Sequence, residues 1–500
     1  MNETPSTIQE IDVVMKAAEK AFSLYRKVKP EEKAQFLEAI ATEIESLGDA
    51  LVLKASEETN LPIPRLMGER GRTTMQLRMF AAMLREGSWV DAAIDTALPG
   101  RTPLPKPDLR KMLVPLGPVI VFGASNFPLA YSTAGGDTAS ALAAGCPVVV
   151  KAHEAHAETS AMVFSAIQKA IVHCNMPEKV VQHVYGGNET GKALVQHPET
   201  AAVGFTGSTG GGMALVSYSH ERKVPIPVFS EMGSVNPVIF LPDTLAKNTA
   251  SLASSFASSV TLSMGQFCTN PGLLMSVASG DLDNFLKQLD EEIIKVKPAR
   301  MLHAGIHKAY IEKMKHALEQ PGVQHSNTMA VTGELEALPN IAQVSGKRFL
   351  ENPVLHEEIF GPYSIMVKCS DMDELKLAWK AVSGQLTTTL VGTDKDFQEH
   401  AELVDIAEQI AGRVLFNGVP TGVEVCPSMV HGGPYPATSD SRFTAVGTHS
   451  VKRWVRPVCF QGAPDYLLPE ELKNSNDNKI LRLVNNEWTR EPIASNWAIC

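Results

Sequence analysis

Three short segments hold side chains whose types suit covalent chemistry on a carbonyl group. Gly265-Gln266-Phe267-Cys268-Thr269-Asn270-Pro271 sets a cysteine between a glycine and a proline. Most isolated cysteines are small buried core residues, but this bracketing predicts an irregular loop, where a thiol can act as a nucleophile. Phe229-Ser230-Glu231-Met232-Gly233-Ser234-Val235-Asn236-Pro237 puts Glu231 after an apolar strand and before a glycine, a poor place for a solvated surface charge. Gly123-Ala124-Ser125-Asn126-Phe127-Pro128 puts Asn126 at a strand-to-helix turn, where its amide can donate a hydrogen bond to an oxyanion. Taken singly, each residue also has a plain structural reading, as a core cysteine, a salt-bridged glutamate or a turn amide.

The elements that would position these residues follow from periodicity. Ile8, Ile11, Met15, Ala18, Phe22 and Tyr25 recur at steps of three and four and predict one face of a helix. A second helix starts at Pro30 and a third is predicted over 64–85. Residues 94–110, rich in Pro, Gly and Thr, predict an extended arm or hairpin. From Val114 onward, apolar β-branched runs at 119–122, 148–151, 180–185 and 202–205 alternate with helical stretches at 128–144, 157–173, 189–196 and 210–220. Alternation of this kind predicts βαβ units and a parallel sheet. A strand at 238–241 and a helix at 246–262 open a second α/β region, and the chain after Gly412 is punctuated by Gly and Pro.

Composition bounds the function. The 500 residues are 44% hydrophobic and 20% charged, as expected of a globular protein with ample core. A net charge of −10 without a long basic block argues against nucleic-acid binding. No apolar run is long enough to span a bilayer, and the opening Met-Asn-Glu-Thr-Pro-Ser is unlike a signal peptide. The seven cysteines are scattered and form no CxxC pair, which predicts no disulfide framework, no metal site and a reducing cytoplasm. Two motifs fail on inspection. Residues 186–193 approach a P-loop, but Ala193 replaces the hydroxyl that would hold Mg²⁺, and His153-Glu154-Ala155-His156 is one residue short of HExxH. The chain also has no GxGxxG, so a dinucleotide would not bind by the usual Rossmann fingerprint.

In combination, SNFP at 125–128, VVVKAHE at 148–154, FTGS at 205–208, EMGSVNP at 231–237, GQFCTNPG at 265–272 and EEIFGP at 357–362 resemble the aldehyde dehydrogenase superfamily, in its order and over most of the chain. The run 419–422 with 429–439 resembles the branch that holds 2-oxoglutarate semialdehyde (2,5-dioxopentanoate) dehydrogenases and long-chain fatty aldehyde dehydrogenases. Two departures stand out: the start is short before its first helix, and Ser125 stands where many relatives carry Trp.

The resemblance implies an α/β fold with a Rossmann-like cofactor domain (1–93 and 117–230), an α/β catalytic domain (231–430), and a β-arm for oligomerisation with the C-terminal region (94–116 and 431–500). It implies Cys268 as nucleophile, Asn126 with the Cys268 N–H as oxyanion donors, and Glu231 as the base that activates water against a thioester. Lys151 and Glu154 would meet the adenosine ribose, Gly207 and Ser208 the pyrophosphate at a helix N-terminus, and Glu358 and Phe360 the nicotinamide ribose and ring. The cofactor is NAD or NADP, with Glu154 favouring NAD and NADP open as the alternative. The substrate would be a small-molecule aldehyde, 2-oxoglutarate semialdehyde or else a medium to long alkanal, and the assembly a homodimer or homotetramer, with no nucleic-acid or membrane partner. A 2-oxo acid semialdehyde needs a cation at the far end of its pocket, for which Arg300 and Arg442 are the candidates. Acyl transfer to coenzyme A is disfavoured by the presence of Glu231, and a non-catalytic role by the intact set of Cys268, Glu231 and Asn126.

Overall fold

The computed structural model describes residues 4–325 and 333–493. The helix Ile8–Tyr25 opens with a capping box: Glu10 N–H donates to Thr7 Oγ1 at 3.2 Å, and Thr7 N–H to the Glu10 carboxylate at 2.8 Å. Ile11, Met15, Ala18, Phe22 and Tyr25 of the expected stripe are buried, whereas Ile8 lies off the packed face and is exposed. Pro30 begins the helix Pro30–Ser46, where its fixed φ fits and its missing N–H costs nothing. After Gly48–Thr59 comes the long helix Ile63–Glu86, closed by Gly87 in the left-handed conformation (φ 78°).

Two parallel sheets form the body. The first orders its strands Val181–Val184, Val148–Lys151, Val119–Phe122, Ala202–Thr206 and Val228–Glu231, all parallel. The second has seven strands, in the order Gln324–His325, Asn340–Ser345, Tyr363–Cys369, Leu273–Val277, Val238–Phe240, Gln385–Val391 and Ala411–Phe416, parallel except for its first edge pair. Strands covered on both faces carry little polar alternation, and every residue of Gln385–Val391 is buried. The segment 231–237 joins the sheets, since Glu231 ends the last strand of one and Val238 begins a strand of the other. The chain therefore has the α/β fold expected, with a Rossmann-like first sheet.

A third sheet gathers Val455–Gln461, Leu109–Pro115, Ala93–Asp95, Arg482–Val484 and Glu487–Thr489. Between its first two strands in the chain, Leu98 and Lys106 exchange backbone hydrogen bonds of 2.9 and 3.1 Å, closing a hairpin. Residues 431–447 take no part in this sheet. They lie along the first one, where Met232 N–H donates to Ala437 O at 2.8 Å and Ser439 N–H to Ser230 O at 3.0 Å.

One helix is shorter than its apolar pattern predicts. Only Gly136–Ala144 of 128–144 is helical. The preceding turns are held by Glu69, whose Oε1 accepts from the N–H groups of Leu129 (2.8 Å) and Ala130 (2.9 Å), while Ala124 N–H donates to Tyr131 O. These N–H groups are buried, and the Glu69 oxygen satisfies them outside any helix.

Candidate active site

Glu231, Cys268 and His431 meet where the C-terminal ends of the first sheet face the second. Their donor and acceptor atoms all lie within 4.8 Å of one another. His431 Nε2 is 2.8 Å from a Glu231 carboxylate oxygen and 3.5 Å from Cys268 Sγ. His431 and Glu231 are buried, and Cys268 is partly exposed. A single nitrogen thus faces both the thiol and the carboxylate, whose two buried oxygens have no other hydrogen-bond partner. Burial first, and the adjoining Glu231 next, push the Cys268 thiol well above its ordinary range, while Arg72 opposes them. The resting thiol is protonated and needs a base.

The loop that presents Cys268 is held from several sides. Ser263, Met264 and Gly265 all have positive φ (48°, 53° and 60°), rare for a side chain as bulky as Met264. A Cβ on Gly265 would lie 2.2 Å from Gly361 O, so the loop rests directly on the 357–362 segment. Asn236, itself at φ 48°, donates to Cys268 O and Asn270 O, both at 2.9 Å. Gln385 Oε1 accepts from Val235 N–H (2.7 Å) and Asn236 N–H (3.1 Å) and fixes the linker between the sheets. Asn126 is buried, and its Nδ2 donates to Gln266 O at 3.2 Å, which brings its amide onto the nucleophile loop.

The remaining candidates lie at strand and helix ends of the first sheet and in the segment 357–362. Lys151 ends its strand, and burial lowers its pKa against the opposing pull of Glu154. Glu154 is exposed, and its Oε1 is 3.4 Å from where a Cβ on Gly187 would stand. Ser208 caps the helix Thr209–His220 by accepting from Gly211 N–H at 3.2 Å, and a Cβ on Gly210 would meet only open space. Gly207 N–H donates to Glu231 O at 3.0 Å, which ties this helix entrance to the catalytic strand. Glu358 and Phe360 border a cleft together with Ser234, Phe267 and Asn270. Burial pushes the Glu358 carboxyl up to about 7. A Cβ on Gly233 would come within 2.6 Å of that carboxylate, so a side chain there would displace it. An anion-accepting helix end, a lysine and carboxylate at a strand end, and an open cleft beside the thiol together suit a dinucleotide.

Sequence reasoning missed His431. It lies inside the run 429–439 that narrowed the resemblance, but an isolated histidine among Gly and Pro carries no pattern of its own. Both arginines proposed for a distal carboxylate are solvent-exposed. Arg300 lies on an exposed two-residue strand, and Arg442 is exposed and chelated by Asp440 at 2.8 and 2.6 Å.

Residues 4–434 match the aldehyde dehydrogenase family model, and the chain belongs to that family. It is 49% identical over 476 residues to alpha-ketoglutaric semialdehyde dehydrogenase 2 of Azospirillum brasilense, covering 95% of this chain and 91% of that one. It is 45% identical over 487 residues to the alpha-ketoglutaric semialdehyde dehydrogenase of Acinetobacter baylyi, covering 97% and 92%. Among solved structures, proline utilization A of Bradyrhizobium japonicum shares the fold at a TM-score of 0.77 and 19% identity; the match covers 92% of this chain but spans only 45% of that longer protein.

Proposed function

We propose that this enzyme oxidises 2-oxoglutarate semialdehyde to 2-oxoglutarate with NAD⁺ through a thioester on Cys268. The observation that carries the chemistry is His431 Nε2 between Cys268 Sγ and the Glu231 carboxylate. The substrate follows from the two relatives of 45–49% identity that bear this activity in their names.

The thiol, held neutral by burial, gives its proton to the Glu231–His431 pair as sulfur adds to the aldehyde carbon. The Asn126 amide and the Cys268 N–H receive the oxyanion. NAD⁺, when bound, would supply the acceptor for the hydride leaving that carbon, and Cys268 keeps the acyl group as a thioester. The Glu231–His431 pair then takes a proton from water, which attacks the thioester, releases the carboxylate and restores the thiol. Because Glu231 is present for this step, water is favoured over coenzyme A as acyl acceptor.

For the cofactor, Lys151 and Glu154 would hold the adenosine ribose, Gly207 and Ser208 the pyrophosphate, and Glu358 and Phe360 the nicotinamide ribose and ring. The exposed Glu154 carboxylate favours NAD⁺ over NADP⁺. We assign residues 1–93 and 117–230 to the cofactor domain, 231–430 to the catalytic domain, and 94–116 with 431–500 to the arm and C-terminal region, with 431–447 serving the site. The arm sheet would pair copies of the chain into a homodimer or homotetramer. Among the described residues no helix is long and apolar enough to cross a membrane, and a cytoplasmic location accords with the unpaired cysteines.

The test is a kcat/KM panel of 2-oxoglutarate semialdehyde, succinate semialdehyde, pentanal and decanal, each with NAD⁺ and NADP⁺. The semialdehyde of 2-oxoglutarate should lead. A lead for decanal would favour the fatty aldehyde reading.

A further inference from the structure

A substrate carrying a carboxylate needs a cation near the thiol, and the long helix Ile63–Glu86 supplies two. Arg65 and Arg72 stand seven positions apart on it, two turns along one face. The Arg65 guanidinium lies over the rings of Phe127 (4.9 Å to the centroid) and Phe267 (4.7 Å), the latter adjacent in sequence to Cys268. The Arg72 guanidinium lies over Tyr131 at 5.2 Å and donates to its hydroxyl at 3.0 Å. Tyr131 in turn is 6.2 Å, ring to ring, from His431. The two cations therefore border the aromatic group that walls the nucleophile.

Their hydrogen-bonding capacity is not spent. Arg65 Nη2 donates to Asn126 O at 2.6 Å, but its Nη1 is buried without a partner, as is Arg72 Nε. Buried guanidinium N–H groups without partners are costly and are satisfied best by a carboxylate. Glu69 stands between the two arginines on the helix; its Oε1 accepts from two backbone N–H groups of the 128–135 turns, and its buried Oε2 hydrogen-bonds neither guanidinium. Two cations against one carboxylate leave this face positive. Arg413 is differently placed, since its guanidinium is bound to the carbonyl oxygens of Pro420 and Gly422.

We infer that Arg65 and Arg72, with the Phe127, Tyr131 and Phe267 rings between them, form the subsite for the distal carboxylate of a short anionic aldehyde. This rests on the family chemistry and deepens the substrate reading above. Arg65 has a second task, because its bond to Asn126 O positions the oxyanion donor. Arg72 is therefore the cleaner probe.

Two measurements test the subsite. The first compares wild type, Arg72→Met and Arg72→Lys on 2-oxoglutarate semialdehyde and on pentanal. Arg72→Met should lower kcat/KM for the semialdehyde at least about 30-fold more than for pentanal, chiefly through KM, as for loss of one partner of a buried charge pair. Lysine should restore part of that selectivity. Equal losses on both aldehydes would make Arg72 structural and overturn the proposal, as would an unchanged ratio. The second measures glutarate as a competitive inhibitor of pentanal oxidation, and needs no assumption about the natural substrate. Arg72→Met should raise its inhibition constant at least about tenfold. An unmoved constant, or no inhibition of wild type by glutarate, overturns the subsite. A wild type that prefers decanal but is inhibited by glutarate through Arg72 would instead overturn the substrate reading and leave the subsite standing.

Discussion

The two ends of the active-site path are built differently. At the thiol end, Asn236, Gln385, Gly265 and Gly361 lock buried backbone against buried backbone, and Glu231 and His431 are sealed from solvent. At the end proposed for the ribose, Glu154 is exposed and Ser208 caps a helix whose first turn opens on free space. Charges at the first end act in a low effective dielectric, and those at the second are screened. Substitutions at the thiol end should therefore cost orders of magnitude in rate, and those at the ribose end should redistribute preference between cofactors.

The largest effect expected is that of Cys268→Ser. A serine hydroxyl is far less ionised than a thiol, and the burial that raises the Cys268 pKa would act on it as well. Steady-state oxidation should fall by at least about 10⁴-fold while NAD⁺ still binds by fluorescence titration. Turnover within a few-fold of wild type would remove Cys268 from the mechanism. Next in size, Asn126→Ala should lower kcat by roughly 10²–10³, the scale for one lost oxyanion donor. A change confined to KM would instead assign Asn126 to ground-state binding.

The Glu231–His431 pair comes third. Glu231→Gln and His431→Asn should each slow the steady state by about 10²-fold, with the double variant little worse, because groups that share one proton act as a unit. For Glu231→Gln, rapid mixing should show the NADH burst itself slowed, since the same pair takes the thiol proton, and still slower turnover after it, since the thioester waits for water. Additive losses in the double variant would separate the two residues.

How much of this was legible depended on what each residue leaves in the sequence. The alternation of β-branched runs and helices gave the first parallel sheet, because strands buried on both faces must be apolar. Cys268, Glu231 and Asn126 stood out as candidates through their Gly/Pro-bracketed motifs, and Cys268 and Glu231 lie together in the structure. His431 did not stand out, because its role comes from a contact with Glu231, 200 positions away, made by an irregular stretch. Arg65 and Arg72 were passed over for the opposite reason: arginines on a long helix look like a solvated face, and only the turns after Asn126 bring aromatic rings beneath them. The helix predicted at 128–135 is replaced by those same turns, whose N–H groups at Leu129 and Ala130 are held by a carboxylate some 60 positions earlier in the chain.

Between the two ends stands Glu358, whose carboxyl burial pushes up to about 7. If it holds the nicotinamide ribose, its ionised form is the better acceptor. NAD⁺ affinity should then rise between pH 6 and pH 8, by up to about tenfold as the ionised fraction grows, and Glu358→Gln should flatten that rise. The same shift bears on stability with the opposite sign. A raised folded pKa means the native state holds this proton more tightly than the unfolded chain. Its contribution is therefore full below the unfolded carboxyl value of 4.5 and is lost as the pH climbs through about 7. Affinity that is flat with pH in wild type would place Glu358 away from the ribose.

The smallest effect sharpens the ribose end. Glu154 sits three positions past the end of the strand Val148–Lys151, and its carboxylate leans toward Gly187 across the neighbouring turn. There it can accept from the 2′- and 3′-hydroxyls of an adenosine ribose, and it would face the 2′-phosphate of NADP⁺ as a like charge. At about 5 Å and an effective dielectric near 20, one pair of unit charges repels by roughly 3 kcal/mol. Exposure and salt reduce that to about 1–1.5 kcal/mol, or about tenfold in affinity. Lys151 offsets part of it from the strand end, where burial already weakens its hold on a proton. Glu154→Thr should therefore raise kcat/KM for NADP⁺ by about tenfold and lower it for NAD⁺ by less, since a threonine hydroxyl still accepts one hydrogen bond. The change should shrink as ionic strength rises, because it is electrostatic in origin. A wild type that already favours NADP⁺ would show that Glu154 turns away from the ribose, and a preference unmoved by Glu154→Thr would show that the carboxylate never met it.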